Sequence, residues 1–130
     1  MPFSYTVQPE RRLIHIVGQS ASTTTELNAV RDAIMTDPAF DRSFNVLIEL
    51  DKLVPSAVDF GTLINLARAR ENVPGRRMAV VAPDAITYGL AKVYEAYGRT
   101  NGVRVFRVKK AAVNWIAAPA SSSAVPAPAV

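Results

Sequence analysis

The sequence predicts an α/β fold: a mixed, mainly parallel five-stranded sheet with about four helices, in the order ββαβαβαβα. Three observations carry that expectation. Two apolar runs at the amino end are joined by Glu10-Arg11-Arg12, a link too short for a parallel crossover, so they form an antiparallel hairpin. Three further apolar runs then alternate with segments of helical periodicity, the pattern of βα units. Finally, 130 residues with 49 % apolar and 20 % charged types suit one compact domain, and no apolar run approaches the roughly 20 residues of a membrane span.

The first strand is read from Phe3, Tyr5 and Val7 alternating with Ser4, Thr6 and Gln8, a period of two with one wet face. Leu13-Ile14-His15-Ile16-Val17 is apolar on both faces and ends at Gly18, which marks a more interior second strand. Thr23 with Glu26 fits a capping box, and Leu27, Val30 and Ile34 recur at helical spacing. Asp37-Pro38 closes that first helix. Asn45 to Asp51, short and strongly apolar, is the third strand. Ser56 with Asp59 opens a second helix whose buried face is Phe60, Leu63, Ile64 and Ala67, and Pro74-Gly75 breaks it. Arg77 to Ala82 is the fourth strand. Pro83-Asp84 starts a third helix with the stripe Ile86, Leu90, Val93, Tyr94 and Tyr97. Asn101-Gly102 is a turn, Val103 to Phe106 the last strand, and Lys109 to Ile116 a short terminal helix that carries Trp115 inward. Residues 1–116 therefore form the domain. The Ala/Pro/Ser segment 117–130 has no charge and no period, so it is expected to be a disordered tail.

The element order, together with Val46-Leu47-Ile48-Glu49-Leu50-Asp51, Arg77 to Ala82 with Tyr88-Gly89-Leu90-Ala91 and Tyr94-Glu95-Ala96, and Val105-Phe106-Arg107 with Ala112 and Trp115-Ile116, resembles the STAS domains, in particular the small bacterial SpoIIAA-like branch that overlaps with Sec14-type lipid carriers. The resemblance spans about residues 3 to 116 and rests on apolar motifs. It implies a STAS-like, SpoIIAA-like sheet and a regulatory domain that binds a protein or a small ligand. Phosphorylatable members carry an Asp-Ser-Ser-Gly-like segment after the third strand. The matching stretch here is Asp59-Phe60-Gly61-Thr62, with Phe60 and Gly61 where the serines belong, so the phosphoserine switch is not expected.

Ligands of open α/β sheets gather at the carboxyl ends of the strands, where helix amino termini and backbone N–H groups converge. That rule selects Asp51, Lys52, Ser56, Asp59 and Phe60 in one loop and Asp84, Thr87 and Tyr88 in the next as the partner- or ligand-binding edge. Tyr88 lies off the helical stripe and is expected to be exposed. Leu90, Tyr94 and Tyr97 with Trp115 could instead line an apolar cleft for a lipid-like ligand. No glycine-rich phosphate loop occurs, and no cofactor is implied.

Glu49, Asp51 and Asp84 could converge on a hard cation and support a Mg²⁺-dependent hydrolase. The simpler assignment makes Glu49 a bonded residue at the sheet rim, Asp51 a turn residue and Asp84 a helix cap. His15, the one imidazole, is expected to be part-buried and bonded to a neighbour rather than catalytic. No catalytic residue and no metal ligand is therefore assigned. The absence of cysteine removes disulfides and thiol chemistry, and Met1-Pro2-Phe3-Ser4 lacks the basic region and apolar core of a secretory signal. Both predict a cytoplasmic protein. Its partner is expected to be a protein or a small apolar ligand, without nucleic acid and without a membrane span, and two copies could pair through short sheet edges or apolar helix faces.

The net charge of +4 divides unevenly. Residues 1–95 hold ten basic and all eleven acidic side chains, whereas the remainder holds Arg99, Arg104, Arg107, Lys109 and Lys110 with no acid. That is a local basic edge, better matched to an acidic partner surface than to nucleic acid.

Overall fold

The computed structural model describes residues 3–22, 24–53, 75–98 and 102–118. β1 (Phe3–Gln8) runs antiparallel to β2 (Leu13–Ser22). β3 (Asn45–Leu53), β4 (Met78–Val81) and β5 (Val103–Phe106) continue the sheet in parallel, in the spatial order β1-β2-β3-β4-β5. α1 (Thr24–Met35) joins β2 to β3, α2 (Ala85–Gly98) joins β4 to β5, and α3 (Lys109–Ala117) follows β5. The α/β class and the five-stranded mixed sheet are as the sequence predicts. The described residues contain three helices rather than about four, because the expected second helix falls on residues 54–74, outside those described. Thr23 and the segment from residue 119 also lie outside them.

The hairpin link is a 3-10 turn at Pro9–Arg11 that ends on Arg12 in the left-handed region, at φ 51°. The Arg12 carbonyl accepts the N–H of Asn45 at 2.9 Å, which sets the start of β3 against the hairpin. β2 does not stop at Gly18. It continues to Ser22 through an irregularity between Gly18 and Ala21, where β2 holds one more residue than β3. Glycine here marks a bulge within a strand and not its end, since a residue without Cβ tolerates the local kink.

The two faces of the sheet are covered unequally, and the connectivity explains why. Each strand from β2 onward is added on the same side of its predecessor. Right-handed crossovers then place both described connecting helices, α1 and α2, on one face. On that face α1 and α2 bury Ile34, Leu90 and Ala91 against Ile14, Ile16, Val46, Ile48, Val80 and Val105. On the other face Ala112 of α3, with Val113, Trp115 and Ile116, packs on Leu13, Leu47, Ala79 and Val81. α3 is not a crossover and is free to fold back there. Each buried leucine or isoleucine contributes about 1.5–3 kcal/mol relative to exposure, so the first face carries most of the apolar stabilisation.

α2 differs in rotation from its sequence pattern. Its buried side is Thr87, Leu90, Ala91 and Glu95, while Ile86 is 62 % exposed and Tyr97 43 % exposed. Thr87 takes the place expected of Ile86 because Asp84 caps the helix. The Asp84 carboxylate accepts both the N–H and the hydroxyl of Thr87 at 3.0 Å, so the buried hydroxyl is satisfied.

Three contacts fix the later strands. Glu95 accepts the N–H of Val105 at 2.8 Å, tying α2 to the outer edge of β5, and Lys92 meets its other oxygen. Gly102 sits at φ +77°, and its carbonyl accepts the N–H of Met78 at 2.8 Å. Arg77, buried just before β4, donates to the carbonyls of Trp115 and Ala118 and lies over the Trp115 ring. These carbonyls lie at the carboxyl end of α3, where that of Trp115 also accepts the N–H of Ala118 at 3.3 Å.

Candidate functional site

The carboxyl ends of β4 and β5 lie side by side, and the chain leaves them in different ways. After β4, Pro83 and Asp84 lead directly into α2. After β5, Arg107 and Val108 form a bend before α3 begins at Lys109. Arg107 links the two exits. Its guanidinium donates to the Pro83 carbonyl at 2.9 Å and stands 5.2 Å from the centre of the Tyr88 ring. Lys92 approaches the same ring, at 5.9 Å. Ile86 and Val108, at 62 % and 58 % exposed, present apolar surface on this rim, and Arg107, Lys109 and Lys110 are exposed beside them.

The basic character extends onto the α3 face of the sheet. Arg104 stands over the rings of Phe106 and Trp115, which meet each other at 5.8 Å. Lys109 reaches Glu49 at 3.1 Å, and His15 reaches the same carboxylate oxygen at 2.5 Å. Burial opposes ionisation of Glu49. The hydrogen bonds and positive charge from His15 and Lys109 outweigh it and hold the carboxyl below its usual value of 4.5. Glu49 and His15 are thus joined across the β2–β3 pair, and the first residue of α3 is anchored to them.

The residues singled out from sequence fare differently. Asp84 lies on the rim but acts as a cap. Thr87 is fully buried, so it offers nothing to a partner. Tyr88 is half-buried against the core beneath Arg107, not free as expected. Ser56, Asp59 and Phe60, and the side chains of Asp51 and Lys52, lie outside what the structure describes.

The apolar cleft fails as a single site. Leu90 and Tyr94 belong to the core under α1 and α2, Trp115 belongs to the core on the opposite face, and Tyr97 points to solvent. A five-stranded sheet stands between them. Glu49 is engaged by His15 and Lys109, and Asp84 caps the start of α2. Among the described residues, no three His, Cys, Asp or Glu side chains are grouped to hold a metal ion, and no helix is long and apolar enough to cross a membrane.

No protein-family model, curated protein or solved structure matches the chain. What the chain does is therefore read from its own surface.

Sequence reasoning placed the basic excess in the last strand and helix but did not bring it to the carboxyl rim. The signal was present in the order of residues: Arg107 to Lys110 directly follow β5, and that position is the strand's carboxyl end. The periodicity of α2 counts Ile86 with its core stripe, which hides the residue's place on the rim.

Proposed function

We propose that this protein is a non-enzymatic, STAS-like domain of the cytoplasm that binds an acidic protein surface through the carboxyl rim of β4 and β5, without a phosphoserine switch at Asp59-Phe60-Gly61-Thr62. The observation that carries the proposal is the composition of the rim. Exposed Ile86 and Val108 stand among Arg107, Lys109 and Lys110, while of the described carboxylates at this end Glu49 is engaged by His15 and Lys109 and Asp84 caps α2. An apolar pair supplies contact area, and the exposed bases supply steering and orientation. The STAS-like assignment is supported by a sheet built in chain order with its first strand antiparallel.

The test is fluorescence anisotropy with a labelled synthetic peptide rich in Glu and Leu, run beside a single-stranded DNA of equal charge and vesicles containing phosphatidylglycerol. The peptide binds best, and Lys110→Glu or Val108→Ser weakens it about tenfold, equivalent to about 1.4 kcal/mol. Binding that ignores both substitutions, or that favours the DNA or the vesicles, overturns the proposal.

A further inference from the structure

The two edges of the sheet are treated differently. On β5 the buried carboxylate of Glu95 occupies the N–H of Val105, and Arg104 adds an exposed charge. Both are means by which proteins keep an edge strand from pairing with another chain. β1, at the other edge, has neither. Its sequence, Phe3-Ser4-Tyr5-Thr6-Val7-Gln8, contains no charge and no proline, and its six residues are all paired to β2 without a bulge. Among the described residues no strand pairs with its outer side. An exposed apolar side chain stands close by. Met35, 58 % exposed, ends α1 two residues before Asp37, whose carboxylate accepts the Tyr5 hydroxyl at 2.8 Å.

We infer that β1 is the pairing edge for a second copy of this chain, joined antiparallel about a two-fold axis to give one continuous ten-stranded sheet. The strand is suited to pair with itself. Two-fold symmetry brings each residue opposite a residue of the same strand, and directly opposed residues project from the same face. Tyr5 and Val7 face the α1 side, whereas Thr6 stands opposite His15 on the other. Keeping that division in both copies requires opposed residues to differ by an even number of positions. Centring the axis on Tyr5 meets this requirement and pairs five of the six residues: Tyr5 meets its own copy, Ser4 meets Thr6, and residue 3 meets Val7. The α1 helices then flank the axis on one face, where Met35 gains cover.

The chain contains no cysteine, so introduced thiols report the register without interference. Ser4 and Thr6 are both exposed, and replacing either leaves the core intact. Light scattering at about 100 μM should give twice the 14.1 kDa mass of the chain. Under mild oxidation, a mixture of Ser4→Cys and Thr6→Cys protomers should cross-link to each other, because opposed residues in an antiparallel pair fall within disulfide range. Each variant alone should cross-link at least tenfold less. A protein that remains monomeric at that concentration overturns the inference. So does a dimer in which the mixture cross-links no better than either variant alone, which would exclude the pairing of β1 centred on Tyr5.

Discussion

Replacing Gly102 by alanine tests the account of how β4 and β5 are joined. An added Cβ would stand 2.3 Å from the carbonyl oxygen of Arg76, where real Cβ contacts stay beyond 3.0 Å. The backbone is also at φ +77°, a conformation that costs an L-residue about 1–2 kcal/mol. Arg76 cannot simply yield, because the next residue, Arg77, is buried and bonded to Asn45 and to the end of α3. The displacement therefore falls on the Gly102 side and loosens the bond from Met78, for about another 1 kcal/mol. The sum is about 3 kcal/mol, or about 10 °C in Tm. Urea denaturation followed by circular dichroism measures it, and Gly75→Ala is the control. Gly75 has a similar φ of +81° but nothing within 4 Å of its added Cβ, so alanine there meets strain alone, about 1–2 kcal/mol. A Gly102→Ala protein no less stable than the Gly75→Ala protein would refute the close approach as the reason for glycine at 102.

Three further outcomes follow from the contacts described. Glu95→Ala leaves the Val105 N–H without its acceptor and should cost about 2–3 kcal/mol, whereas Glu95→Gln keeps an oxygen there and should cost less than half as much in the same denaturation assay. Asp84→Ala removes the cap of α2 and an acceptor of the buried Thr87 hydroxyl, for a loss of about 1–2 kcal/mol, while Asp84→Asn should recover part of it. Glu49 titrates below its usual 4.5 when folded, so its contribution is present above that pH and is lost as the pH falls through the lower, folded value. Urea midpoints measured below pH 5 should decline less steeply for Glu49→Gln than for the native chain, and parallel declines would show that the carboxylate gains nothing from His15 and Lys109.

Much of the fold was legible because its signals are local. The alternation of Tyr5 and Val7 with Thr6, the short apolar run from Val46 to Leu50 and the proline after Asp37 each act within a few residues. They locate strands and a helix end without reference to the rest of the chain. What was not legible depends on partners far apart in sequence. The periodicity of α2 fits Ile86 as well as Thr87, and only the bond to Asp84 makes the hydroxyl the better group to bury. Trp115 and Tyr94 both read as inward-facing aromatics, but inward has two directions when a sheet has two covered faces. The joining of His15 to Glu49 spans 34 positions, and nothing in either neighbourhood announces it. The candidate site was half legible for the same reason: the charge imbalance can be counted, whereas its place beside Pro83 and Tyr88 is set by the pairing of β4 with β5.

The order in which the strands lie in the sheet has a consequence for how the protein is made. Because spatial order equals chain order, each strand leaving the ribosome finds its neighbour already synthesised, and no strand has to be inserted between two others. The hairpin can form first, and the parallel strands can be laid beside it one at a time, each closing only a loop of moderate length. The exception is α3. Its terminal carbonyls wait for Arg77, a residue made some forty positions earlier, whose buried guanidinium has no helix end to hold until the last part of the domain emerges. Completion of the second face should therefore be the final step of co-translational folding, and a nascent chain truncated before Lys109 should carry its sheet with Leu47, Ala79 and Val81 still open to solvent or to a chaperone.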